Sequence, residues 1–196
     1  MTEIARLKIQ LDDMDLPVIR RIEVPLAIRL ADLHLVIQVA MGWENYHLYE
    51  FRVGRTVTYG IPDPDWPQTR TQSAKTATLA DLIAHLKKNK TFHYVYDFGD
   101  DWLHTVKLEA VAEADPEIAY PRLLTAQGTC PPEDCGGPWG YAHYLEAIAD
   151  PDHEDHDDMI EWRGPGFDPS AVDEPAIRKA ISKFANRRRR KSKAMP

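Results

Sequence analysis

Cysteine is scarce in this chain: 196 residues carry two, Cys130 and Cys135. Two thiols do not make a disulfide framework, so the fold has to stand on its core, and a reduced, intracellular setting is expected. No apolar run approaches the ~20 residues that span a bilayer. The opening MTEIARLKIQLDD lacks the apolar centre of an export signal. These absences predict a cytoplasmic protein with no membrane partner. Familiar hydrolase patterns are missing too, with no G-x-S-x-G and no H-E-x-x-H. Gly136-Gly137 lies between a cysteine and a proline, outside the strand-to-helix setting of a phosphate loop. No internal repeat and no second domain is visible.

What is present is ordinary in composition and uneven in charge. Apolar residues make up 43% and charged residues 28%, enough for one domain with a real core. Net charge is −7, but six positive charges sit between Arg187 and Lys193, which leaves residues 1–186 at −13. Such a body repels phosphates, so contact with nucleic acid would have to come from the tail. Basic tails are more often merely solvated. The division expected is a domain over 1–186 and a basic, disordered tail over 187–196.

Periodicity places the elements. Ile4–Leu11 alternates Ala5, Leu7, Ile9 and Leu11 against polar neighbours, and Val18–Val24 returns as its hairpin partner. Leu30, Leu33, Ile37 and Ala40 recur at helical spacing, with Gly42 as the left-handed stop. Trp43–Val53 goes back to period two, with His47, Tyr49, Phe51 and Val53 on one face. Ile61–Thr76 reads as a long surface loop. Thr78–Asp81 is a capping box that opens a short helix. Thr91–Phe98 and Leu103–Val111 form a second hairpin around Gly99-Asp100-Asp101, with Phe92, Tyr94, Tyr96 and Phe98 on one face. Tyr141, Leu145 and Ile148 mark a helix. Asp150-Pro151 reads as the cap and first turn of another, very acidic one. Asp173–Phe184 forms the last, with Ile177, Ile181 and Phe184 inward. The order predicts a single α+β domain: a mainly antiparallel sheet built from hairpins, packed helices, and a helical C-terminal part.

Chemistry concentrates around Cys130–Tyr141, CPPEDCGGPWGY, a mixture of proline and glycine that regular elements tolerate badly. Strained loops of this kind are where function tends to sit. His47 and His104 fall in apolar rows and, with Asp97, Asp100 and Asp101 at the hairpin tip, could line a polar pocket. The plainer alternative is two core histidines whose nitrogens are satisfied locally. Cys130 and Cys135, with His153 and His156 downstream, read C-x4-C…H-x2-H, which could wrap a tetrahedral zinc. Against this, the histidine spacing is tighter than the usual three to five intervening residues. A site for a harder cation would draw on Asp152, Asp155 or Asp158. The aromatic row Phe92–Phe98 could stack bases, but in an acidic body it fits a core better.

Three segments carry a resemblance: W-x-N-x-H-L-x-x-F (Trp43–Phe51), Y-D-F-G-D-x-W-x-H-x-V-x-L-E (Tyr96–Glu109) and C-P-P-E-D-C-G-G-x-x-G-Y (Cys130–Tyr141). Together with the His153…Trp162 stretch they resemble the plasmid pRiA4b Orf3-like family over about Ile4 to Phe184. The resemblance implies a compact α+β domain found in bacteria, archaea and their plasmids and transposons. Some relatives are labelled transposon passenger or resolvase-like proteins, but no serine- or tyrosine-recombinase pattern occurs in this chain. Arg29 stands where a helix-capping Thr or Ser would be more usual.

The leading functional expectation is a non-catalytic binding or accessory protein associated with mobile elements, with no catalytic residue assigned. Its pocket would combine His47, Asp97, Asp100, His104 and Glu109 with Glu133, Asp134, Trp139 and Tyr141. Two alternatives remain: a metal-dependent hydrolase or nuclease using the His/Asp or Cys/His set, and an interaction module recruiting DNA through the tail.

Overall fold

Alternation builds the first hairpin. The computed structural model describes residues 2–65 and 70–194, with side chains as far as Asn186. In β1 (Glu3–Leu11) Ala5, Leu7, Ile9 and Leu11 are buried, and β2 (Val18–Pro25) returns with Val18, Ile22 and Val24 inward. Leu11 stands opposite Val18 and Ile4 opposite Pro25. Then α1 (Leu30–Met41) adds Leu33, Val36, Ile37 and Ala40 to the same core. Arg29 at its start makes no side-chain cap. Instead the amides of Leu30 and Ala31 donate to the carbonyls of Ala77 and Ala74, both at 2.9 Å, so a neighbouring loop satisfies the exposed helix end.

The remaining elements are β3 (Tyr49–Val53), β4 (Val57–Gly60), β5 (Gln72–Ser73), α2 (Leu79–Ile83), β6 (Thr91–Tyr96), β7 (Trp102–Glu113), β8 (Arg122–Gln127), α3 (Gly137–Ala149), α4 (His156–Arg163) and α5 (Glu174–Ala194). They form one α+β domain with an eight-stranded sheet in the order β5-β4-β3-β6-β7-β1-β2-β8. Its pairings are antiparallel except for the two-residue β4–β5 contact. No helix among the described residues is long and apolar enough to cross a membrane.

Six details differ from the periodicity. Trp43–Leu48 is an irregular strap, and only Tyr49–Val53 is strand. Phe98 is 52% exposed, because Asp97 adopts a left-handed backbone (φ 58°) and ends the aromatic row. The loop over 61–76 contributes β5, and β8 was not foreshadowed. Asp150 closes α3 rather than opening a helix: its carboxylate accepts from the Asp152 amide (2.9 Å) and its carbonyl from the His153 amide (3.0 Å). Those local bonds turn the chain, and α4 begins only at His156. Finally, α5 runs beyond Phe184 to Ala194. The side chains of Arg187–Lys193 lie outside the described residues, so the alternative of nucleic-acid contact through the tail rests on their charge alone.

The capping box at Thr78 and Asp81 forms in both directions. Along the outer strand β8, α5 supplies the missing partners. Glu174 accepts from the Ala126 amide (3.1 Å), and Arg178 donates to the carbonyls of Leu123 (2.6 Å) and Leu124 (3.2 Å).

Candidate functional site

The strap after α1 is one wall of the site. Gly42 (φ 90°) reverses the chain and drops Trp43 against β6 and β7, stacked on Tyr96 at 5.1 Å and edge-on to His104 at 5.5 Å. The Trp43 indole N–H donates to the carbonyl of Pro131 (3.0 Å), so strap and cysteine loop are in direct contact. Glu133, 8% exposed, completes the joint. It accepts from the Tyr96 hydroxyl (2.5 Å) through one oxygen and from the Glu44 amide (2.6 Å) through the other. Its own carbonyl accepts from Arg163 (2.6 Å), whose guanidinium lies 4.4 Å over the Trp162 ring.

Two buried networks hold these walls. His34 stacks on Tyr49 at 3.5 Å, and a chain of donors runs Gln38 to the Tyr94 hydroxyl (3.0 Å), then to His34 Nδ1 (2.7 Å). The opposite nitrogen donates to Asn45 in the strap (2.5 Å). Burial lowers the His34 pKa to about 4. Arg20 occupies the inward row of β2 and is 1% exposed. It donates to the carbonyls of Ala40 (2.7 Å), Ile19 (2.9 Å), Gln127 (2.8 Å) and Gly128 (3.0 Å). One buried cation thus ties the C-terminal end of α1, where the helix dipole favours positive charge, to the start of the cysteine loop.

The β6–β7 tip is the third wall. The Asp100 carboxylate accepts from the Gly136 amide (3.2 Å). A Cβ on Gly137 would lie 2.4 Å from the Asp100 carbonyl, and one on Gly140 1.8 Å from that of Cys135. Glycine is what lets loop, tip and helix approach so closely. The start of α3 absorbs Gly137–Tyr141, since Pro138 is tolerated in a first turn. Between strap and loop lies a cleft of about 390 Å³. Met41, Trp43 and Phe167 form its apolar part, Glu44, Glu133 and Asp134 its acidic part, and Arg163 lines it as a cation.

The sequence-derived residues distribute as follows. His47 precedes β3 and lies beside two aspartates, its Nε2 2.9 Å from Asp134 and 3.5 Å from Asp97. Asp100, Glu133 and Asp134 belong to the same three-walled region. His104 takes the core reading. It is fully buried between Tyr94 and Trp43, its Nδ1 donates to the carbonyls of Trp102 (3.0 Å) and Tyr94 (3.2 Å), and burial lowers its pKa to about 4. Glu109 is not part of the niche: it alternates to the opposite face of β7 and pairs with Arg21 (3.1 Å). Trp139 is 89% exposed on α3, while Tyr141 packs inward against Tyr144 and Phe167.

The proposed Cys/His zinc set is not assembled. His156 Nδ1 bonds the Ala147 carbonyl (2.8 Å), and His153 sits beside His143 and Asp155. The turn after α3 folds both histidines back against its middle and last turns, at His143 and Ala147, and not against the cysteine loop. Among the described residues the groups of metal-ligating type are His47–Asp97–Asp134 and His143–His153–Asp155, and neither contains a cysteine. Both thiols are free. Burial pushes Cys130 up, and burial with the Asp100 charge pushes Cys135 up to about 12, so both stay protonated near neutral pH. Sequence reasoning missed Arg20, His34, Glu44 and Arg163. Only Arg20 left a signal, as a cation in the row Val18, Ile22, Val24.

Fold and site together define a small α+β domain whose polar niche is assembled from a helix-end strap, a hairpin tip and a cysteine–proline–glycine loop. The chain belongs to the plasmid pRiA4b ORF-3-like protein family, whose model matches residues 3–176. It is 43% identical over 197 residues to the uncharacterized protein y4hQ of Sinorhizobium fredii, covering 98% of this chain and 100% of that one. The crystal structure of a protein of unknown function, MM3350, from Methanosarcina mazei Go1 has the same fold. It superposes with a TM-score of 0.79 at 33% identity, over 89% of this chain and 97% of that chain.

Proposed function

We propose that the protein is a binding or accessory protein rather than a catalyst, and that the cleft between strap and cysteine loop takes a cationic ligand such as a polyamine or a basic peptide side chain. The observation that carries this reading is the contrast between the cleft's carboxylates and its nucleophiles. Glu44 and Asp134 open toward the cleft beside the Tyr46 ring, 72% exposed, which offers a face for a cation. The groups that would be needed for covalent chemistry are held inert: both thiols are protonated, and His104 is sealed in the core. The plasmid reading frame in the family's description supports an association with mobile elements.

Titration with spermidine and with a lysine-rich peptide, followed by nuclear magnetic resonance, tests the reading. Saturable shifts at Trp43 and Tyr46 are expected, weakening with salt and reduced at least tenfold in affinity by Glu44→Gln. Absence of saturable shifts at these residues, or turnover of a substrate in the cleft, would overturn it. A metal-dependent activity is favoured by one observation, the histidine–aspartate group at the rim of the cleft.

A further inference from the structure

That group stands on geometry of its own. Its ligand atoms come from three separate segments: His47 from the strap, Asp97 from the end of β6, and Asp134 from the cysteine loop. All lie within 4.8 Å of one another. Both aspartates hold left-handed backbone conformations, φ 58° at Asp97 and 60° at Asp134. Aspartate tolerates that region better than most residues, but two such positions feeding one point must be fixed by their surroundings.

Three observations bear on what the point is for. The first is the bare nitrogen: His47 Nε2 is shut off from solvent and has no hydrogen-bond partner, although it lies 2.9 Å from Asp134 Oδ1 and 3.5 Å from Asp97 Oδ2. Neither contact has hydrogen-bond direction. The second is Asp97, 7% exposed, whose Oδ1 accepts from the Gly99 amide (2.9 Å) while Oδ2 faces the imidazole. Among the described residues no lysine or arginine pairs with Asp97 or Asp134. A buried carboxylate beside a second carboxylate calls for a compensating cation. The third is spacing. Ligands about 2.1 Å from a metal are about 3.0 Å apart along an octahedral edge and about 3.4 Å apart along a tetrahedral one. The two measured separations match such edges.

We propose that His47, Asp97 and Asp134 bind a divalent first-row transition ion such as Mn²⁺, Co²⁺ or Zn²⁺. One imidazole with two carboxylates suits these ions better than the oxygen-only preference of Mg²⁺ or Ca²⁺. Asp134, with its side chain 64% exposed, leaves the site open on one side for water or for a ligand donor from the cleft. The site shares Asp134 with the cleft but depends on none of the cleft's ligand chemistry. The second group, His143–His153–Asp155, is more open: His143 and Asp155 already pair at 3.0 Å, and His153 Nδ1 accepts from the Asp155 amide (3.1 Å).

The full chain, stripped of metal with chelator and dialysed, is titrated calorimetrically with Mn²⁺, Co²⁺ and Zn²⁺ alone. One ion per chain is expected, bound at least tenfold more tightly than Mg²⁺. His47→Gln and Asp97→Asn should each weaken binding at least tenfold; asparagine keeps the left-handed turn, so folding is preserved. Mn²⁺ should broaden the resonances of Leu48, Gly99 and Cys135 before those of Tyr144. Glu44→Gln should leave metal uptake unchanged, which separates this site from the cationic-ligand reading. No stoichiometric uptake, uptake indifferent to both variants, or broadening centred on His143 and His153 would each overturn the proposal.

Discussion

Arg20→Met is the sharpest test of how the site is held. The guanidinium serves four carbonyls, those of Ala40, Ile19, Gln127 and Gly128. Replacing a buried ionic cluster with apolar residues can be neutral or stabilising when every charged partner goes too. Here the partners are backbone oxygens that no substitution removes. Gly128 and Ala40 are left with buried acceptors facing a thioether, and each stranded acceptor costs about 1–3 kcal/mol. Methionine recovers part of this through packing, so a net loss of about 3 kcal/mol is expected. For a chain of this size that lowers the melting temperature by about 6–12 °C. Arg20→Lys should cost less, since an ammonium keeps the charge but cannot spread its donors over the same fork. Urea unfolding measures both, with the slope expected unchanged. A loss below about 1 kcal/mol for Arg20→Met would refute the claim that this cation ties α1 to the cysteine loop.

Two further outcomes follow from the buried imidazoles and from Gly140. His34 and His104 titrate near 4 in the folded chain and near 6.5 when unfolded, so the unfolded state takes up protons first. Their contribution is intact above about pH 6.5 and is lost as pH falls toward 4, on the order of 3 kcal/mol for each histidine. Unfolding free energies measured across that window should fall more gently in His104→Gln, and an unchanged slope would contradict the assignment. Gly140→Ala sets two effects against each other. Helix propensity favours alanine by about 1 kcal/mol, whereas the added Cβ would meet the Cys135 carbonyl at 1.8 Å. Thermal unfolding should show a destabilisation of about 1–3 kcal/mol, and a stabilised variant would mean the loop is free to move aside.

The parts of the fold legible in the sequence are those set by local periodicity. Ala5–Leu11 and Val18–Val24 alternate because one sheet face is buried, and Gly42 and the Thr78 box write helix ends in side-chain chemistry. Tertiary competition decided the rest. Proline and glycine in CPPEDCGGPWGY argue against regular structure, yet α3 begins inside the motif because its first turn asks for no amide from Pro138. Asp150 has the chemistry of a helix start, but its bonds to residues 152 and 153 made a turn. Glu109 lies in the outward row of β7, five residues beyond His104, and so faces away from the niche. The convergence of His47 with Asp97 and Asp134 joins positions up to 87 residues apart and leaves no periodic trace.

The way α5 lies along β8 has a consequence for assembly. A terminal strand with free backbone groups invites another chain to dock and continue the ladder. Glu174 and Arg178 plug three of those groups with their own charges, and the opposite margin, β5, is two residues long. Among the described residues neither border offers a long free ladder, so strand addition is disfavoured at both ends of the sheet.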